Sequence, residues 1–314
     1  MIEDRSFEHE GDAPDSKLSY LASVSATREV LERFGLATKK ALGQHFLIND
    51  GVVRRICDLA EVSDRDVVLE VGPGIGTLTV ALLRRAKSVI AIERDADLPQ
   101  VLAQTTARLN APFMLIEGDA LQMDSETLPC PPDKLVANLP YAVAATIVLD
   151  AFERLPIQSA TVMVQAEVAD RMMAHPGTKD YGAYTVKLGL VARPTGRFNV
   201  SEGNFFPPPR VKSAVVRLDR KPALEPVLVR AACIMADAAF ANRRKTLANS
   251  VKNYFSQPTM LDLPFLQQLD QFFEMAQVDP SVRGERLIED DFLRLGRVYL
   301  ALHPSTEGCG AQAR

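Results

Sequence analysis

The sequence predicts an α/β protein: a parallel sheet covered by helices on both faces, followed by a small all-helical C-terminal domain. Three observations carry this. Short apolar runs at 67–71, 88–93, 113–116, 134–137 and 160–164 are separated by stretches with helical spacing, the alternation from which parallel sheets are built. The first run leads directly into a glycine-rich turn, Gly72-Pro73-Gly74-Ile75-Gly76. From about Leu224 onward, apolar residues recur only at helical spacing.

Each element follows from its local pattern. Residues 1–15 are polar and acidic without apolar periodicity, and are expected to form a disordered tail. Leu18, Leu21, Val24, Val30, Leu31 and Phe34 keep roughly helical spacing across 17–34. A compact segment with a basic start, Lys39 to Leu47, comes next. Asn49 or Asp50 can cap a helix running to about Glu61, with Val52, Val53, Ile56, Leu59 and Ala60 on its apolar face. Val67–Val71, Ser88–Glu93, Phe113–Ile116, Lys134–Ala137 and Ala160–Val164 read as five buried strands, with helices at Thr77–Ala86 and Ala96–Leu109 between the first three. Val211 to Leu218 alternates after a proline run and predicts a late, antiparallel strand. Helical spacing then returns in Val227, Leu228, Ala231, Ile234, Met235 and Ala238, in Leu266, Leu269, Phe272 and Phe273, and in a last helix near Ile288–Leu302. The expected division is a tail at 1–15, a sheet domain at 16–222, a helical domain at 223–303 and a polar tail at 304–314.

Composition narrows the class. With 314 residues, 47% hydrophobic and 24% charged, the chain has ordinary globular make-up and room for about two domains. No apolar run approaches the roughly 20 residues a membrane span needs, and the acidic start does not resemble a signal peptide. Cys57, Cys130, Cys233 and Cys309 are far apart, so no metal-ligand spacing or disulfide framework is expected. A reducing cytoplasm fits that usage. The net charge of −4 hides an uneven distribution: residues 210–254 hold ten bases and three acids. A basic stripe of this kind suits a nucleic-acid backbone as well as a solvated helix face.

Six motifs carry chemistry. The loop from Glu70 to Thr77 has Gly72, Gly74 and Gly76, but Thr77 where a dinucleotide fingerprint needs its last glycine. The tighter form suits an adenosyl group without a pyrophosphate, which points to S-adenosyl-L-methionine over NAD. Glu93 ends the second strand, where a carboxylate can accept from a ribose diol. Asp119 follows the third, within reach of an adenine amine or equally placed as a turn cap. Asn138-Leu139-Pro140-Tyr141 ends the fourth strand. A nucleobase amine is a weak nucleophile because its lone pair is delocalised into the ring. Acceptors at the Asn138 side chain and the Leu139 carbonyl can hold both amine hydrogens out of the ring plane. Pro140 stiffens the turn, and Tyr141 offers a face on which an extruded base stacks. The rigid run after Asn204-Phe205-Phe206 can hold Phe205 over the opposite face of that base, with Phe206 as packing, and Arg210 and Lys212 follow it. Arg243-Arg244-Lys245, read as helical, would spread over an RNA backbone or remain in solvent. The histidines His9, His45, His175 and His303 form no metal or triad pattern.

Together these motifs resemble the ribosomal RNA adenine dimethylase family, most nearly its bacterial small-subunit (16S-type) members, over about residues 36–303. The segments carrying the resemblance are Lys40 to Leu47, the glycine loop, Glu93, Gly118-Asp119, Asn138 to Tyr141, Gln165 with Glu167 and Arg171, Tyr181-Gly182, Phe205 to Ser213, and Arg243 to Leu247. The resemblance implies a Rossmann-like class I methyltransferase sheet, a small helical RNA-binding domain, and S-adenosyl-L-methionine as methyl donor. It implies two methyl groups added to each of two adjacent adenines near the 3′ end of small-subunit rRNA. The expected partner is that rRNA in an assembling subunit, and the chain is expected to act in the cytoplasm as a monomer. By position, His45, Leu47, Gly72, Glu93, Asp119 and Asn138 would hold the cofactor, and Tyr141 and Phe205 would enclose the adenine. The family often has asparagine where this chain has His45; both can hydrogen-bond. Alternatives are the related large-subunit methyltransferase of macrolide resistance, a non-catalytic assembly factor on the same fold, and a nicotinamide oxidoreductase, which Thr77 disfavours.

Overall fold

The computed structural model describes residues 17–37, 44–109 and 111–303. The expected tails at 1–15 and 304–314, and Lys39 to Gly43 of the basic segment, lie outside the described residues. The elements begin α1 (Val24–Arg33), β1 (Phe46–Leu47), α2 (Asp50–Leu59), β2 (Val67–Val71), α3 (Thr77–Leu83), β3 (Ser88–Glu93) and α4 (Pro99–Thr106). They continue β4 (Phe113–Glu117), β5 (Lys134–Asn138), α5 (Ala144–Arg154), β6 (Ser159–Gln165), α6 (Ala166–Met172), α7 (Ala183–Val191) and β7 (Ala192–Val200). The last are β8 (Phe205–Phe206), β9 (Ser213–Arg220), α8 (Pro226–Phe240), α9 (Leu247–Phe255), α10 (Leu263–Leu266), α11 (Leu269–Ala276) and α12 (Glu289–Leu302).

The caps show why the early helices start where they do. The Ser23 hydroxyl accepts from the Ala26 amide, and the Asn49 side chain accepts from the Val52 amide, each at 3.2 Å. The Asp50 carboxylate also takes the Leu18 and Ser19 amides at 3.2 and 2.7 Å, which ties the start of the described chain to α2.

A seven-stranded sheet has the order β4-β3-β2-β5-β6-β9-β7. β2 pairs in parallel with both β3 and β5, β3 with β4, and β5 with β6. The strand order therefore reverses between β2 and β5. In doubly wound sheets the crevice beyond the carboxyl ends of such strands is where ligands bind. Val68, Leu69, Val89, Ile90, Leu135 and Val136 are wholly buried, as strands covered on both faces require.

Three of the strands had no signal in the pattern. β1 and β8 pair antiparallel as a separate two-stranded sheet, Phe46 opposite Phe206 and Leu47 opposite Phe205. Two-residue strands are too short to show a period. β7 carries Pro194 and Gly196 and is largely exposed, which suits an edge strand and breaks the alternation a sequence reading needs.

The chain divides into two compact units. One runs to Gln165 and includes Gly196–Arg217; the other comprises Ala166–Thr195 and everything from Leu218. The expected boundary at 222/223 grouped 166–195 with the sheet. The structure instead gives Tyr181, Val186 and Leu190 a common core with Leu228, Met235, Phe255, Phe272 and Phe292. α7 is apolar around its whole circumference, so its sequence says that it is buried but not against what. Among the described residues no helix is long and apolar enough to cross a membrane.

Candidate active site

The first unit contains a cavity of about 490 Å³ at the reversal between β2 and β5. The glycine turn after β2 forms one wall. Gly72 and Gly74 have φ of 70° and 61°, a left-handed region in which a side chain is strained. A Cβ added to Gly74 would also stand 3.0 Å from the Phe46 ring. The left-handed backbone at both positions, and the nearness of Phe46 at Gly74, make glycine the residue that this turn accepts.

Two buried carboxyls flank this turn. Glu93, at the end of β3, accepts from the Gly74 amide at 3.2 Å and the Asp95 amide at 2.8 Å. Burial raises its pKa, and those amide bonds oppose the rise. Glu70, inside β2, is 1% exposed, and its Oε2 has no hydrogen-bond partner among the described residues. Burial pushes its carboxyl up to about 8, and the nearby Glu93 charge adds to the effect. Sequence reasoning included Glu70 in the glycine motif but gave it no role, although it lines the cavity. The available signal was a single acid inside the apolar run Val67-Val68-Leu69-Glu70-Val71.

Asp119 also lines the cavity. Its Oδ1 takes the Leu121 amide at 3.0 Å and its other oxygen lies 3.5 Å from Arg94, so it serves as a turn cap and a wall residue at once.

The opposite wall is the turn after β5. Asn138, Leu139, Pro140 and Tyr141 line the cavity together with His45 and Leu47. The Asn138 Nδ2 donates to the His45 carbonyl at 3.1 Å. The Leu139 amide donates to the Met163 carbonyl of β6, and the Pro140 carbonyl accepts from Val143. No donor among the described residues engages the Asn138 Oδ1 or the Leu139 carbonyl. The Tyr141 hydroxyl shares a 2.5 Å hydrogen bond with the Ser213 hydroxyl, which fixes the ring. Burial raises the Tyr141 pKa, so it stays a neutral phenol. The His45 Nδ1 lies 2.8 Å from the Pro207 carbonyl, and its ring lies 6.0 Å from the Tyr141 ring at an interplanar angle of 24°.

Phe205 departs from expectation. It is 2% exposed and packs in the hydrophobic cluster with Leu47, Val52, Val53 and Val215, so it does not face Tyr141 across the cavity. Pairing of β8 with β1 turns this side chain inward, an effect of register that spacing alone does not reveal. Phe206 packs against a different cluster, as expected of it. Arg210 and Lys212 are exposed in this unit. In the second unit Arg243, Arg244 and Lys245 lie in the turn between α8 and α9, not on a helix. Arg243 donates to the Lys179 and Tyr181 carbonyls at 2.8 and 2.7 Å, while Arg244 and Lys245 are exposed.

A glycine cradle, a carboxylate after the second strand of a parallel sheet and an Asn-Leu-Pro-Tyr turn across the crevice define a class I methyltransferase. The comparisons sharpen this. The profile of the ribosomal RNA adenine dimethylase family matches residues 35–272. The ribosomal RNA small subunit methyltransferase A of Kineococcus radiotolerans is 40% identical over 283 residues, 88% of this chain and 91% of the relative. Its counterpart in Acidothermus cellulolyticus is 41% identical over 276 residues, 86% and 92% of the two chains. Among solved structures, a dimethyladenosine transferase from Plasmodium falciparum superposes with a TM-score of 0.70 at 27% identity, covering 82% of this chain and 98% of that one. The 23S rRNA methyltransferase ErmE gives 0.58 at 26% identity, covering 81% and 98%. The chain belongs to the ribosomal RNA adenine dimethylase family, and it is an enzyme.

Proposed function

We propose that this chain transfers methyl groups from S-adenosyl-L-methionine to the exocyclic amines of two adjacent adenines near the 3′ end of small-subunit rRNA, giving dimethyladenosines. The observation that carries the reading is the pair of unengaged acceptors, the Asn138 Oδ1 and the Leu139 carbonyl, beside a glycine cradle. An adenine amine has two hydrogens to place, and two acceptors are present.

The residues fit the cofactor. Glu70 keeps an unpartnered oxygen at the cavity wall, which a cationic group would satisfy. Gly72 and Gly74 leave room for close approach, and Glu93 and Asp119 stand ready for polar edges. His45 and Leu47 complete the wall. When bound, S-adenosyl-L-methionine supplies an electrophilic methyl group on a sulfonium. The chain's own contribution is positioning and fixed dipoles. Asn138 and Leu139 hold the amine so that its lone pair leaves conjugation with the ring. Tyr141, held by Ser213, supports one face of the base. Arg210, Lys212, Arg244 and Lys245 would contact phosphates.

The partner is small-subunit rRNA in an assembling subunit, and the enzyme acts in the cytoplasm as a monomer. Small subunits lacking the modification, incubated with the purified chain and methyl-labelled S-adenosyl-L-methionine, should take up label. Primer extension should then stop at two adjacent adenines near the 3′ end. Label appearing only on large-subunit RNA would refute the proposal.

A further inference from the structure

We propose that Gln165 selects adenine as the target base: its side-chain amide donates to the ring nitrogen N7 and anchors the base through both methyl transfers. This rests on the function proposed above and assigns a choice which that reading leaves open.

Two acceptors do not by themselves choose adenine. The Asn138 Oδ1 and the Leu139 carbonyl would hold the amine of cytosine equally well. Adenine carries its amine beside N7, an acceptor, where cytosine has only a carbon. Guanine also has N7, but the group beside it is an oxygen, which two acceptors repel. A donor next to the amine acceptors therefore admits adenine and rejects the other two. Glutamine pairs with this edge of adenine through its amide.

The donors of the cavity leave Gln165 for this task. It lines the cavity and is half-buried at the end of β6. Its amide has no hydrogen-bond partner among the described residues. The donors of Asn138, Tyr141 and His45 are committed to the His45 carbonyl, Ser213 and Pro207. Gln44 donates to Asp95 at 2.7 Å, and Arg94 pairs with Asp119. Thr77 lies at the start of α3, on the glycine wall.

The register of β5 and β6 places Gln165 beside the acceptors. Asn138 stands opposite Met163, and the Leu139 amide donates to the Met163 carbonyl at 3.1 Å. Residues opposite one another in neighbouring strands share a face, and so do residues two apart on one strand. Gln165 therefore stands on the face of Asn138, one pleat nearer the carboxyl edge that carries the Asn138–Tyr141 turn.

The anchor matters most at the second transfer. Each transfer exchanges an amine hydrogen, released as a proton, for a methyl group. After the first, one of the two acceptors has no hydrogen left to hold. N7 is unchanged by the reaction, so the bond from Gln165 persists.

The test uses the full-length chain and small subunits reconstituted with adenosine or 7-deazaadenosine at the two target positions. The analogue has a C–H in place of N7. Single-turnover methylation by wild type should be slower on the analogue by roughly threefold to tenfold, the worth of one hydrogen bond between neutral groups. This comparison needs no variant. Gln165→Met keeps the length of the side chain without its donor. It should lose a similar factor on adenosine and no longer distinguish the two substrates, because either change removes the same bond. On adenosine it should also accumulate the monomethyl product, where wild type proceeds to the dimethyl one. S-adenosylhomocysteine binding by calorimetry should match wild type; its loss would make Gln165 a support of the cofactor wall instead. A wild type indifferent to the analogue, or a variant that still discriminates against it, would overturn the proposal and leave the function intact. A wild-type chain that labels no adenosine-containing small subunits would overturn both.

Discussion

The side-chain amide of Asn138 donates to the main-chain carbonyl of His45 at 3.1 Å, joining positions 93 residues apart. This bond settles which end of the Asn138 amide faces the cavity. With the nitrogen committed to His45, the oxygen is left as an acceptor, and an acceptor is what an amine donor requires. The same contact holds the β1 segment against the turn after β5.

Asn138→Ala therefore should lower the single-turnover methylation rate by a factor of roughly 100 or more, the scale seen when one oriented dipole is removed from an active site. RNA affinity measured by filter binding should change by less than about threefold, because the proposed phosphate contacts, Arg210, Lys212, Arg244 and Lys245, are elsewhere. Equal losses in rate and affinity would show that Asn138 only supports the fold.

Phe205→Ala should act on stability first. The side chain is buried in the core cluster, and truncating a buried phenylalanine costs about 3–5 kcal/mol. Phe205→Leu retains most of the apolar volume and should keep near-normal methylation at 25 °C with a lower midpoint in urea. If Phe205→Leu is fully stable but loses methylation a hundredfold, the ring stacks on the base after all.

Glu70 makes stability depend on pH. Its folded pKa of about 8 is above the usual carboxyl value, so the folded state binds the extra proton. Its contribution is fully present below the unfolded pKa near 4.3 and is lost as pH rises through about 8. Glu70→Gln should flatten this decline, raising the thermal midpoint by several degrees at pH 8 and little at pH 5. In wild type, a bound cation beside the ionised carboxylate should reverse the trend for the ligand: S-adenosylmethionine affinity by calorimetry should strengthen from pH 6 to pH 8. Parallel melting curves for both proteins at all pH values would exclude a buried, titrating Glu70.

The three consecutive bases should separate by experiment. Arg243→Ala removes two hydrogen bonds to the Lys179 and Tyr181 carbonyls and should destabilise the second unit by about 1–3 kcal/mol. Arg244→Ala and Lys245→Ala should leave the urea midpoint unchanged. Each should reduce the dependence of log K on log salt by about one for RNA binding. Unchanged salt slopes in both would mean that this turn stays in solvent.

Much of the site was legible in order along the chain. The apolar runs at 67–71, 88–93 and 134–137 placed three strands, and the residues that follow them, Gly72, Glu93 and Asn138, all line one cavity. Parallel sheets make this readable, because the carboxyl ends of successive strands all lie on one edge. The helix cap at Asn49 was equally local.

The amino-acid sequence by itself determined the alternating sheet, the glycine turn, the acceptor turn and the family to which the chain belongs. Each depends on neighbours within a few residues, or on their order. Only the tertiary structure decided that Phe205 faces the core, that Glu70 keeps an unpartnered oxygen, that Arg243 is spent on two carbonyls, and that His45 meets Asn138, Tyr141 and Pro207. Those outcomes depend on burial and on contacts between distant segments, chiefly the pairing of β1 with β8. Two-residue strands leave no periodic trace, so the register that turns one phenylalanine inward and brings the histidine to the cavity wall is set in three dimensions alone.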